Sequence, residues 1–137
     1  MWKYYALLSA FFAALTAILA KVGIKGISGN VATAVRTFVV MILAWGIVFV
    51  GGQMKEVREI SKNNLLFLIL SGLATGLSWI FYFKALETGN VSKVAPIDKL
   101  SVVFVIILAF LFLKEPPDLK TIAGGLLILG GTMVMLF

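Results

Sequence analysis

Of the 137 residues, 61% are apolar and only 13% charged, and the mean hydropathy is +1.09. A soluble domain is about 25% charged, so a water-soluble fold would leave too much apolar side chain uncovered, and the chain reads as integral to a membrane. With no cysteine and no histidine, disulfides, thiol nucleophiles, imidazole bases and zinc sites built on those residues are excluded. The net charge of +6 comes from basic residues scattered between apolar runs, a membrane-topology pattern and not a nucleic-acid patch.

A helix needs about 20 apolar residues to cross the hydrocarbon core. Hydropathy predicts five such spans, at 4–20, 31–50, 65–83, 92–113 and 119–137, in one all-α membrane domain covering residues 1–137. The connectors are short and rich in Gly, Asn and Pro, as turn chemistry requires. On the first span, Ser9, Ala13, Thr16 and Ala20 recur at helical spacing and form one small or polar stripe. Lys3 ahead of this apolar run also fits a signal peptide, but four further spans follow and no soluble domain does.

The second span places Thr33, Arg36, Thr37 and Val40 on one face. On the third, Ser71, Thr75, Ser78 and Tyr82 share a stripe, while Gly72, Gly76 and Trp79 make a second line where another backbone could approach, within the protomer or across a dimer. The fourth carries Pro96, Asp98 and Lys99 within its first turns, and Ser101 shares the face of Asp98. Arg36 and Asp98 both lie roughly 8–9 Å inside their spans from the same membrane side, at about 1.5 Å per residue. Lys99 is about 100° around the helix from Asp98, so Asp98 is expected to pair with Arg36 or Lys84 and not with its neighbour. Pro96 also deprives the Ser92 carbonyl of its helical donor. The fifth span has paired glycines and almost no polar side chains, which suits packing or dimerisation.

Four polar stripes with ionisable groups near one end predict a shared hydrated cavity lined by Ser9, Thr16, Thr33, Thr37, Ser71, Thr75 and Ser78. Arg36, Trp79, Tyr82, Lys84, Asp98, Lys99 and Ser101 are the candidate ligand contacts. The plainer alternative is that the stripes knit helices together and that Arg36 and Lys99 snorkel to the headgroups. Trp79 and Tyr82 also suit an interfacial anchor.

Five spans put the termini on opposite sides of the membrane. The N-terminal side carries Lys3, Lys55, Arg58, Lys62, Lys114 and Lys120; the other carries Lys21, Lys25, Lys84 and Lys93, joined by Arg36 and Lys99 when residues just inside the spans count. This near balance gives only a slight preference for a cytoplasmic N-terminus and permits insertion both ways.

Residues 85–135 resemble the second half of an EamA domain of the drug/metabolite transporter superfamily. The features are Ala85–Leu86 before a short loop, Val94–Ile97 leading into the fourth span, Glu115 after it, and Gly124, Gly130 and Gly131 in the fifth. "AVRTFVVMIL", with Arg36, is similar to the family's second helix. The resemblance implies a five-helix bundle that is half of an inverted-repeat transporter, completed by a second copy as a homodimer, antiparallel if both orientations insert. It implies alternating-access transport of a small polar metabolite across the inner membrane, with membrane lipid as surroundings and no cofactor. Related four-helix multidrug exporters carry a first-helix acidic residue; here none is present, which argues against drug-cation efflux. Glu115 is read as structural, capping the fifth span together with Asp118. No nucleophile–base set, metal constellation or nucleotide loop is visible, so neither an enzyme nor ATP use is expected. A membrane scaffold or regulatory subunit is the alternative from another class.

Overall fold

The computed structural model describes all 137 residues and contains helices without strands. The helices are α1 (Trp2–Gly23), α2 (Gly29–Val50), α3 (Met54–Arg58), α4 (Lys62–Thr88), α5 (Val91–Asp98), α6 (Ser101–Leu108) and α7 (Leu119–Leu136), with a π-helical turn at Ala109–Leu113. Five helical stretches are long and apolar enough to cross a membrane: α1, α2, α4, the stretch Val91–Leu113 and α7. All five expected spans are present. The chain divides into two compact units, Met1–Thr88 and Gly89–Phe137.

In the first unit α2 packs along α4, and α1 makes a smaller contact with α4. The buried residues Ala17, Ala32, Thr33, Phe83 and Leu86 belong to the C-terminal half of α1, the N-terminal half of α2 or the C-terminal end of α4, and buried Ile24 directly follows α1. Most apolar side chains of the opposite halves are exposed, as suits surfaces that face lipid tails. Hydropathy ended the third span at residue 83, whereas α4 continues to Thr88. The extra turn, "KALET", contains charges but is rich in strong helix formers, so propensity carries the helix past the apolar window.

Ser28 starts α2, its hydroxyl accepting from the Val31 N–H at 3.4 Å. Gly29 sits where α2 meets α4: a Cβ there would stand 3.1 Å from the Phe83 backbone and 3.2 Å from the Lys84 nitrogen. Only hydrogen in place of a side chain permits this approach. By contrast, a Cβ on Gly72 or Gly76 would meet no heavy atom within 4 Å. The GxxxG line is therefore not used for helix packing inside the unit.

In the second unit α5 and α6 both pack on α7. The ladder of the fourth span is interrupted three residues after Pro96: Lys99 donates to the Pro96 carbonyl and Leu100 to that of Ile97, tighter turns than an α-helix makes. Val102 and Val103 repeat that pattern before α6 resumes. Gly125 of α7 is buried against Ile106, whose Cδ1 would lie 3.1 Å from a Cβ, and the Thr132 hydroxyl donates to Ile128 at 2.8 Å and toward Pro96 at 3.4 Å. The packing role expected of the fifth span is thus carried by Gly125 and Thr132.

The fourth span ends on Lys114, left-handed at φ 55°, with Lys114 and Glu115 N–H groups both directed at the Ala109 carbonyl. Pro116 and Pro117 then prevent the helix from continuing. Asp118 caps α7 by accepting from the Thr121 N–H at 2.9 Å. Of the two caps expected, Asp118 fills the role, whereas Glu115 acts through its backbone on the preceding helix.

Candidate functional site

Arg36 is the single charged residue of α2. Its guanidinium carbon lies 4.5 Å from the centre of the Trp79 ring and 5.6 Å from that of Phe83. Stacking on aromatic faces is how a guanidinium, weakly hydrated and planar, is held away from water. One turn separates Trp79 from Phe83 on α4, so both present the same face to α2. The edge-on contact of Tyr82 with Phe83, centroids 6.2 Å apart at 86°, braces this aromatic group.

Arg36 and Phe83 form part of the wall of an open cavity of about 360 Å³. The rest is Thr16, Leu19, Ala20 and Gly23 from α1, Ala32 and Val35 from α2, and Ile27 from the connector. Thr16 carries the only side-chain hydroxyl, and Arg36 the only charge, in this lining. Ile27 also borders a second hollow of about 370 Å³, formed with Lys21, Ile24, Lys25, Gly26, Ser28 and Glu87. A charged crevice and an apolar cavity therefore share a wall at the end of the unit where the core is packed.

The crevice contains two contacts between helix ends. Lys21, in the last turn of α1, donates from Nζ to the carbonyl of the fully buried Leu86 near the C-terminus of α4. Glu87 of α4 accepts from the Gly29 N–H at the start of α2. Each charge sits at the pole of the helix dipole it complements. Neither residue was among the candidates read from the sequence. Glu87 fell in the supposed connector because hydropathy closed the third span too early; helix propensity over "KALET" was the signal that could have recovered it.

The other expected residues are dispersed. Ser9, Ser71, Thr75 and Ser78 are exposed, and none borders the cavity. Thr33 is buried and donates to the Gly29 carbonyl at 2.7 Å; Thr37 repeats this bond onto Thr33 at 2.7 Å, and Thr75 onto Ser71 at 2.9 Å. These hydroxyls satisfy carbonyls four residues back on their own helices, the usual recourse of threonine in apolar surroundings. Lys84 is exposed and does not border the cavity.

Asp98, Lys99 and Ser101 belong to the second unit. Asp98 is 38% exposed and makes an ion pair with Lys99 at 3.6 Å. This corrects the expectation that neighbours on a helix could not meet. The α-helical spacing stops at Asp98, and the tight turn at Lys99 lets its long stem fold back. Ser101 is exposed at the start of α6.

The whole chain, residues 1–137, matches the family model described as the EamA-like transporter family. A protein of Sinorhizobium sp., named "Uncharacterized transporter in cobO 3′region", is 47% identical over 134 residues, covering 98% of this chain and 95% of the relative. No solved structure matches the chain. Together with five membrane-spanning helices, the full-length family match settles where the protein stands: it is an integral, multi-pass membrane protein and belongs to the EamA-like transporter family.

Proposed function

We propose that the protein is a secondary transporter of a small polar metabolite in the inner membrane, working by alternating access as an antiparallel homodimer. One observation carries the reading: a stacked guanidinium inside a membrane-spanning helix, on the wall of an open cavity, with no carboxylate beside it. An ionisable group at such depth is costly unless it meets a ligand or a partner. The domain has an odd number of spans, so a second copy inserted the opposite way would recreate the inverted-repeat arrangement of two-domain carriers. The open lines at Gly72 and Gly76 offer that copy a close-packing surface.

The test is uptake and counterflow in proteoliposomes over a broad metabolite panel. Accumulation of at least one compound is expected, and Arg36→Gln should abolish it. No flux for any compound, with Arg36→Gln and Asp98→Asn leaving every cellular phenotype intact, would leave a non-transporting membrane subunit as the better description.

A further inference from the structure

Resting on the transporter reading and narrowing it, we infer that the cavity of the first unit binds a small organic monoanion with a compact apolar body, a short or branched monocarboxylate, and rejects amines and zwitterions. Four observations converge on this class. Arg36 is the only charge in the lining, and the surrounding walls are aliphatic or aromatic, from Leu19, Ile27, Val35 and Phe83. The acidic residues of this unit are Glu56, Glu59 and Glu87; none borders the cavity, and Glu87 is engaged with the Gly29 N–H. The Asp98 carboxylate is already paired with Lys99, at 3.6 Å. The Arg36 guanidinium carbon lies over the Trp79 ring at 4.5 Å and over that of Phe83 at 5.6 Å, contacts that use no N–H donor of the fork on an acceptor oxygen and so leave the donors to a planar oxyanion.

The chemistry then sorts ligands by charge. A carboxylate supplies the acceptor pair that the guanidinium fork fits, in a low-dielectric setting where the attraction is strong. An ammonium group in the same place would face a like charge and lose its hydration without an acidic acceptor. A zwitterion carries that cost along with its carboxylate. At about 360 Å³ the cavity is at the small end of ligand pockets, which suits a body on the order of ten heavy atoms. A carboxylate on an apolar body also describes a membrane fatty acid, and chain length separates the two sources.

Purified full-length protein in detergent is titrated with isovalerate, isopentylamine, isopentanol, leucine and palmitate, read by melting temperature and tryptophan fluorescence. Isovalerate should raise the melting temperature and change the emission, the latter lost in Trp79→Phe; the amine, alcohol and zwitterion should do neither. Arg36→Gln should weaken isovalerate binding by at least about tenfold, and Arg36→Lys by less, because lysine keeps the charge but not the planar fork. Equal binding of leucine or isopentylamine, unchanged binding in Arg36→Gln, or a response to palmitate alone would overturn the assignment. Should Arg36→Gln not fold, the discrimination shown by the wild-type protein decides. Counterflow in proteoliposomes is scored separately. Isovalerate binding with no flux of any compound in the panel sinks the transport reading and leaves the ligand class standing. Movement of an amine or zwitterion without isovalerate binding does the reverse.

Discussion

Arg36 and Asp98 show how differently two charges at the same expected depth can be accommodated. The guanidinium has a planar face and finds rings; the carboxylate finds the nearest flexible ammonium, Lys99. Removing the ring should therefore cost affinity while leaving charge in place. Trp79→Leu is expected to raise the KM for any transported anion by about two- to thirtyfold, the range of about 0.5–2 kcal/mol of cation–π attraction, with little change in melting temperature. Asp118 offers a separate test outside the spans. Hydrogen bonds from the Thr121 side chain and N–H hold its carboxyl below the usual carboxylate range. A group whose pKa is depressed on folding stabilises above its unfolded value of about 3.9, and that contribution fades as pH falls through the lower folded value. Melting curves taken on acidification should show Asp118→Asn keeping the cap with a flatter acid limb. Asp118→Ala should lower the melting temperature at neutral pH.

Two kinds of glycine appear among the helices, and they should respond oppositely to alanine. At Gly29 the α4 backbone is 3.1–3.2 Å from a new Cβ, so Gly29→Ala should destabilise the protein by about 1–3 kcal/mol through overpacking, read as a lower melting temperature in detergent. At Gly72 nothing lies in the way. There alanine should stabilise an isolated protomer by about 0.5–1 kcal/mol from helix propensity, unless a second copy packs on that face. Loss of a crosslinked dimer in Gly72→Leu with Gly76→Leu would identify the face as the dimer contact; an unaffected dimer would remove it from the interface. Motif spacing alone picked out Gly72 and Gly76 and passed over Gly29, because close approach depends on the neighbour, not on the glycine's own helix. Thr33 and Thr37 teach the same lesson: their spacing is that of a pathway wall, yet their hydroxyls bond to their own helix.

Across the molecule, the near balance of lysine and arginine between the two membrane sides leaves orientation weakly biased. A reporter fused after Phe137 should be found on both sides of the membrane, and neutralising Lys55 and Arg58 together should shift the ratio. A single location in every background would remove the antiparallel dimer while leaving the family membership untouched. The membrane class, five spans and their approximate limits followed from the sequence by itself, since about 20 apolar residues are both required and sufficient to read a crossing. The resemblance at Val94–Ile97 and around Arg36 likewise pointed to the family that the full-length match establishes. Only tertiary structure decided which polar residues meet. The contacts of Lys21 with Leu86, of Glu87 with Gly29 and of Arg36 with Trp79 join helices remote in sequence. Helical periodicity fixes a side chain's direction about its own axis, but not which face the neighbouring helix presents to it.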